Sequence, residues 1–289
     1  MSSTLVLGTA QLGNDYGIVN FRGKIPVSEV SEIFALARGA GIDRIDTAPA
    51  YGDAEQTLNR CGVGDFKIIT KVPKLKRDGH SDLRSTLVKA ARQSCRSLGC
   101  KQLHGLLLHS AGDLTGRDGS EVHAGLLAAR DAGLVEQIGV SVYTADEIET
   151  VLDRYSVDII QLPLSVLDQR LRAWLPRLAD RGVAAHVRSI FLQGLLLCPV
   201  DKLPQGVAQL GPAIEAFRQR AARAGMQVVE AAVAFVRDLP HVNGIVVGTA
   251  SVDEFRALLK AFATKSSFDA EGLAVVRPDL IDPRCWALA

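Results

Sequence analysis

The chain has 289 residues, 47% of them hydrophobic and 22% charged, with a formal net charge of +1. That balance buries a sizeable core under a solvated surface, which excludes a disordered chain; Lys and Arg are scattered rather than gathered in a stripe, so no nucleic-acid partner is expected. No apolar run reaches the roughly 20 residues of a membrane span, Met1 to Thr4 lacks the basic and apolar regions of a secretory leader, and the five cysteines form no CxxC pair, so a cytoplasmic protein with reduced cysteines, no membrane contact and no metal is expected.

Short β-rich runs alternate with helical patterns along almost the whole length. Strand one is expected at Leu5 to Gly8, followed by an irregular stretch, Leu12 to Pro26, and a helix over Val27 to Ala40. Strand two is Arg44 to Asp46. Strand three, Lys67 to Thr70, leads to a helix over Asp82 to Leu98. Strand four, Leu103 to His109, is followed by the irregular Ser110 to Ser120 and a helix over Glu121 to Ala132. Strand five is Gln137 to Ser141 with a helix over Ala145 to Asp153, and strand six is Ile159 to Gln161 with a helix over Leu171 to Arg181. After strand seven, Ala184 to Arg188, come the irregular Leu192 to Leu210, an extra helix over Pro212 to Ala224, and a helix over Met226 to Arg237. Strand eight is Gly244 to Val247 with a helix over Val252 to Phe262, and Phe268 to Ala289 is expected to wrap one end as a loop.

Four helices end at Gly41, Gly99, Gly133 and Gly182, where a left-handed residue closes a helix at little steric cost. Runs such as Leu106-Leu107-Leu108 and Ile245-Val246-Val247 are apolar without alternation, which suits strands buried on both faces. Eight strand-helix units in a chain of this length predict a single α/β domain over 1–289, a (β/α)8 TIM barrel, which takes about 250 residues. A doubly wound open sheet is the alternative, but the turn after strand one reads Gly8-Thr9-Ala10-Gln11-Leu12-Gly13 and does not fit GxGxxG.

Asp46 closes strand two, Lys71 follows strand three and His109 ends strand four, so three titratable side chains converge at the C-terminal mouth of adjacent strands, where barrel enzymes place their sites. Tyr51 lies just beyond Asp46, within reach of the same point. Any one of them alone is as readily a cap or a solvated loop residue. Together they have a chemical logic. A tyrosine titrates near 10 in water, roughly three units too high for exchange at neutral pH, and a neighbouring ammonium stabilises its phenolate. Lys71 supplies that charge, Asp46 keeps Lys71 protonated, and His109 orients a substrate oxygen or shares in the proton transfer. The set suits reduction of a carbonyl or oxidation of an alcohol, with the hydride coming from a cofactor.

The segments Gly41 to Gly52 (GIDRIDTAPAYG), Ile69 to Val72 (ITKV), Leu107 to Ser110 (LLHS) and Ile138 to Ser141 (IGVS) resemble, in order and spacing, successive signatures of the aldo-keto reductase family. The resemblance covers most of the chain. It implies Tyr51 as general acid/base, Lys71 and Asp46 as its tuning pair, His109 as the substrate-orienting residue, and NADP or NAD bound without a Rossmann domain. It places cofactor contacts on Gly8, Thr9, Ser141, Gln161, Gly248, Thr249 and Ser251, with Ser141 and Gln161 on the nicotinamide carboxamide. For Ser251 a plain helix N-cap is the competing reading.

The departures from the family pattern cluster on the cofactor. Val142 stands where an asparagine is usual, Ala250 where a basic residue is usual, and Leu258 where an asparagine is expected. Loss of the cation at Ala250 puts an NADP preference in question, with Arg256 as a substitute one turn on. Arg188 replaces the more usual aromatic and could stack on the nicotinamide, bind an anionic substrate, or pair with a structural carboxylate. The family's N-terminal hairpin plug is expected to be missing.

The expected function is therefore a nicotinamide-dependent oxidoreductase acting on an aldehyde, ketone or alcohol, as a monomer or weak homo-oligomer. The opening Gly8 to Ile18 resembles a bacterial branch associated with carbohydrates, which implies a sugar-like polyol or aldose. Two alternatives are a non-redox lyase or isomerase using the same tyrosine-lysine pair, and a cofactor-sensing regulatory or accessory protein.

Overall fold

The computed structural model describes residues 3–18, 20, 22–75 and 82–286. Met1 and Ser2, two positions of the Leu12 to Pro26 stretch, and the last three residues of the tail lie outside them. The strands are β1 (Thr4–Gly8), β2 (Arg44–Asp46), β3 (Lys67–Val72), β4 (Leu103–Leu108), β5 (Val135–Ser141), β6 (Ile159–Pro163), β7 (Ala184–Arg188) and β8 (Val242–Val247). Each pairs in parallel with the next, and β8 closes on β1 through Thr4–Gly244, Leu5–Ile245, Val6–Val246 and Leu7–Val247. The sheet is a closed (β/α)8 barrel, which rules out the open doubly wound alternative.

Side chains alternate along every strand, and in a closed barrel the two faces meet different environments. Ile45, Ile68, Leu106, Val140, Ile160 and Val187 belong to the large core between the barrel wall and the surrounding helices. Ile69, Leu107 and Ile159 form a separate small cluster along the barrel axis. Two residues further on, the same inward face carries Lys71, His109 and Gln161, and by the same alternation Gly8, Asp46, Ser141 and Arg188 also point inward at the mouth. The period of two that keeps the outer wall apolar thus gathers the polar residues at one end.

Several elements differ from expectation for identifiable reasons. Lys71 lies within β3 rather than after it. A helix over Ala54–Arg60 was not expected, because its buried face includes Glu55 and Thr57, so no apolar period marks it. The hydroxyl of Thr70 donates to Glu55 at 2.8 Å, satisfying that buried carboxyl. The helix expected over Leu171 to Arg181 is confined to Leu175–Asp180 behind a short 3-10 turn, and Pro176 in its first turn fits that late start.

The tail does more than wrap the barrel. It forms a short helix, Pro278–Ile281, and a 3-10 turn, Pro283–Cys285. Asp282, 2% exposed, accepts from Arg284 at 2.7 Å and pairs with Arg170 at 3.7 Å. Arg284 then lies 4.0 Å from the ring centroid of Tyr143, just beyond β5, which brings the tail to the functional end of the barrel. Among the described residues no helix is long and apolar enough to cross a membrane.

Candidate active site

The Asp46 and Lys71 side chains are 2% and 1% exposed and meet at 2.5 Å. Lys71 Nζ also donates to the Thr47 carbonyl at 3.2 Å, and the second Asp46 oxygen accepts from Gln161 Nε2 at 2.8 Å. Thr9 stitches β1 to this point, donating its N–H and its hydroxyl to the Asp46 carbonyl at 3.1 and 3.0 Å. Burial acts against the Lys71 ammonium, but the charge and hydrogen bonds of Asp46 and Tyr51 outweigh it, and its pKa is held above the ordinary lysine value. Lys71 is therefore a buried, permanently charged ammonium at neutral pH.

Tyr51 sits against that ammonium, with Lys71 Nζ 5.3 Å from its ring centroid. His109 meets the Tyr51 ring edge-on, centroids 5.9 Å apart and planes at 89°. Burial, then the positive charges of Lys71 and Arg188, lower the His109 pKa to about 4. A neutral imidazole is suited to orienting a substrate oxygen by one hydrogen bond; it holds no spare proton at pH 7.

A pair of glycines positions the tyrosine. A Cβ on Gly13 would lie 1.6 Å from the Tyr51 carbonyl oxygen, and one on Gly52 would lie 2.4 Å from the Gly13 carbonyl oxygen, at a φ of 59° that favours glycine. Gly13→Ala is accordingly expected to push the Tyr51 loop out of place and lower kcat by about 100-fold, the cost of roughly a 1 Å misplacement. Steady-state kinetics on variant protein of native circular dichroism checks this; unchanged kcat would show that the loop relaxes without moving the phenol.

A cavity of about 440 Å³ opens at the mouth. Of the residues expected to act, Asp46, Tyr51, Gly8, Thr9, Gln161, Arg188, Gly248 and Thr249 line it. Lys71 and Ser141 are buried behind this lining, and His109 packs against Tyr51. Ser251 is an N-cap: its hydroxyl accepts from the Glu254 N–H at 3.1 Å at the start of the helix Val252–Ala263. Arg256 does not reach the cavity, because its guanidinium is held by Glu32 at 2.6 Å and Asp253 at 3.5 Å. Arg188 has no carboxylate partner among the described residues. It donates to the Val142 carbonyl at 3.2 Å and lies 4.1 Å from the centroid of Tyr143, whose ring also contacts Arg284. The structural ion pair considered for Arg188 is thus not formed, and its charge faces the cavity.

The lining also includes residues outside the expected set, among them Gln11 and Glu254. Gln11 has a buried Oε1 without a partner. Glu254 accepts from the Ala250 N–H at 2.7 Å. Ser251-x-x-Glu254 has the spacing of a capping box, a signal that was present in the sequence.

Below the site, His186 points along the barrel axis, 4% exposed, its Nδ1 unpartnered and its ring against Gly244. Burial is the main cause that lowers its pKa to about 4. For both His109 and His186 the unfolded chain takes up a proton before the folded one does. Their contribution to stability is complete above about pH 6.5 and is lost as pH falls toward 4, by on the order of 3 kcal/mol each. His186→Gln is expected to remove about half of this pH dependence between pH 7 and 4, measured by urea unfolding. An unchanged slope would mean that His186 titrates normally.

The sequence profile of the aldo/keto reductase family matches residues 4–276. The chain belongs to the aldo-keto reductase family. No curated protein matches it by sequence. Among solved structures, an aldo-keto reductase from Bacillus halodurans in its holo form is 22% identical with a TM-score of 0.74, covering 93% of this chain and 89% of that one. A glycerol dehydrogenase from Gluconobacter oxydans is 18% identical with a TM-score of 0.71, covering 92% and 88%. At these identities the likeness is one of fold. Membership makes this aldo-keto reductase an oxidoreductase of the class that acts on small carbonyl compounds with a nicotinamide cofactor.

Proposed function

We propose that this aldo-keto reductase interconverts an aldehyde, ketone or aldose and its alcohol, with Tyr51 as general acid/base and NAD or NADP as the redox partner. The observation that carries the reading is the buried Asp46–Lys71 ion pair set against the Tyr51 ring at the wall of the cavity at the barrel mouth. The cavity also suits a dinucleotide. Gly8 and Gly248 leave its wall bare, since a Cβ on Gly248 would stand 2.3 Å from Gln11 Oε1 and one on Gly8 3.1 Å from the Gly248 nitrogen. Gln11 Oε1 is a buried acceptor left unused by the protein.

Gly8, Thr9, Gln11, Gly248 and Thr249 would hold the cofactor, with Gln161 and Ser141 at its nicotinamide end. Bound there, it supplies the hydride that no amino-acid side chain can provide. In the reducing direction Tyr51 donates its phenolic proton to the carbonyl oxygen as negative charge builds there. Lys71 stabilises the resulting phenolate, and Asp46 keeps Lys71 charged. His109, neutral, directs the carbonyl oxygen toward Tyr51. Tyr16 and Gln193 supply polar groups at the rim and Arg188 a cation, a lining that favours a polar, sugar-like or anionic substrate over an aliphatic one.

The test is oxidation of NADH and NADPH in the presence of a panel of aldoses, aromatic aldehydes and aldehydes bearing a carboxylate. Alcohol formed in a one-to-one ratio with cofactor consumed supports the reading. Turnover without any change in cofactor absorbance would replace it with the lyase or isomerase alternative, and tight cofactor binding without turnover of any carbonyl with the accessory one.

A further inference from the structure

We propose that this enzyme selects NAD(H) over NADP(H) and that Glu254 is the discriminating residue. The inference rests on the dinucleotide reading above. The cavity runs from Tyr51 and Gln161 to the start of the helix Val252–Ala263, where Thr249, Ala250 and Glu254 line it. A helix start offers free N–H groups to a phosphate. Here side-chain oxygens take those of Val252 and Glu254. Glu254 Oε2 accepts from the Ala250 N–H at 2.7 Å and lies 3.5 Å from Thr249 Oγ1. Glu29 Oε2 receives the Val252 N–H at 3.4 Å, and Ser251 Oγ receives the Glu254 N–H at 3.1 Å.

The charge balance points the same way. Arg256 is bound to Glu32 at 2.6 Å, and Arg22, which lines the cavity, is paired with Glu29 at 3.4 Å. Ala250 adds no cation. A phosphomonoester dianion at this rim must displace the Glu254 carboxylate from the Ala250 N–H and then remain beside it, like charge against like. A ribose diol has the opposite relation to a carboxylate: its hydroxyl donates, and this is the pairing by which an acidic residue accepts the 2′-hydroxyl of NAD. The same carboxylate that excludes the phosphate therefore recognises its absence.

The experiment is equilibrium binding of NADH and NADPH, followed by cofactor fluorescence and by calorimetry with no carbonyl present, so that nothing turns over. Wild-type protein is expected to bind NADH more tightly by about 100-fold, the scale of one unfavourable close charge pair partly screened by solvent. Glu254→Gln is expected to narrow the ratio about tenfold, mainly through tighter NADPH binding, and addition of Ala250→Arg to invert it. Equal or tighter binding of NADPH by the wild type overturns the proposal and leaves the oxidoreductase reading standing; so does an unchanged ratio in folded Glu254→Gln. Binding of neither cofactor overturns the dinucleotide reading and this proposal with it.

Discussion

Tyr51→Phe is expected to lower kcat by about 1,000-fold while leaving cofactor affinity and thermal stability close to those of the parent, within the 10²- to 10⁴-fold range that a positioned acid or base contributes. The substitution removes one oxygen and nothing else. The ring keeps its edge contact with His109 at 5.9 Å and its place 5.3 Å from the Lys71 ammonium, so neither the loop nor the ion pair has cause to move. The loss corresponds to about 4 kcal/mol of barrier and should fall on kcat and on kcat/KM alike, because the proton is shared only in the transition state. Single-turnover reduction of an aldehyde measures the chemical step apart from product release. If only KM changes, Tyr51 binds substrate and another group moves the proton. Tyr16 is a poor candidate for that group: desolvation, reinforced by Tyr51, outweighs the positive charge of Arg188 and raises its pKa to about 12.

Lys71→Met should cost both activity and stability. It strands the Asp46 carboxylate, 2% exposed, with Gln161 as its only remaining side-chain donor among the described residues. Breaking one side of a buried pair costs about 3–5 kcal/mol, because an uncompensated charge stays behind. Asp46→Asn in the same protein removes that charge, so the double variant should recover most of the stability while its kcat stays as low as that of Lys71→Met. Urea unfolding of the parent, both single variants and the double variant gives the cycle. Recovery of activity in the double variant would show that the ion pair only holds the barrel together and does not act on Tyr51.

The barrel and the polar residues at its mouth were legible in the sequence because both follow from local rules. Eight β-rich runs separated by helical patterns predict the closed parallel sheet, and the four glycines taken as helix ends all have positive φ, between 68° and 73°. Asp46, Lys71 and His109 could be placed together because each stands at the end of a strand adjacent to the next, and strand ends converge in a closed barrel. The Ala54–Arg60 helix escaped because two of its four buried residues, Glu55 and Thr57, are polar and break the apolar period, and burial of Glu55 is intelligible only once Thr70 is seen beside it.

The sequence by itself determined the repeating unit, the order of strands and the identity of the inward-facing residues at the mouth, because a period of two along each strand and a positive φ at each helix end are properties of the local chain. Only the tertiary structure decided how those residues are partnered. It put Arg256 on Glu32 instead of in the cavity and left Arg188 without a carboxylate among the described residues. Each of these depends on which other charge lies within about 4 Å, a distance that in a closed barrel is set by the packing of segments far apart in the chain.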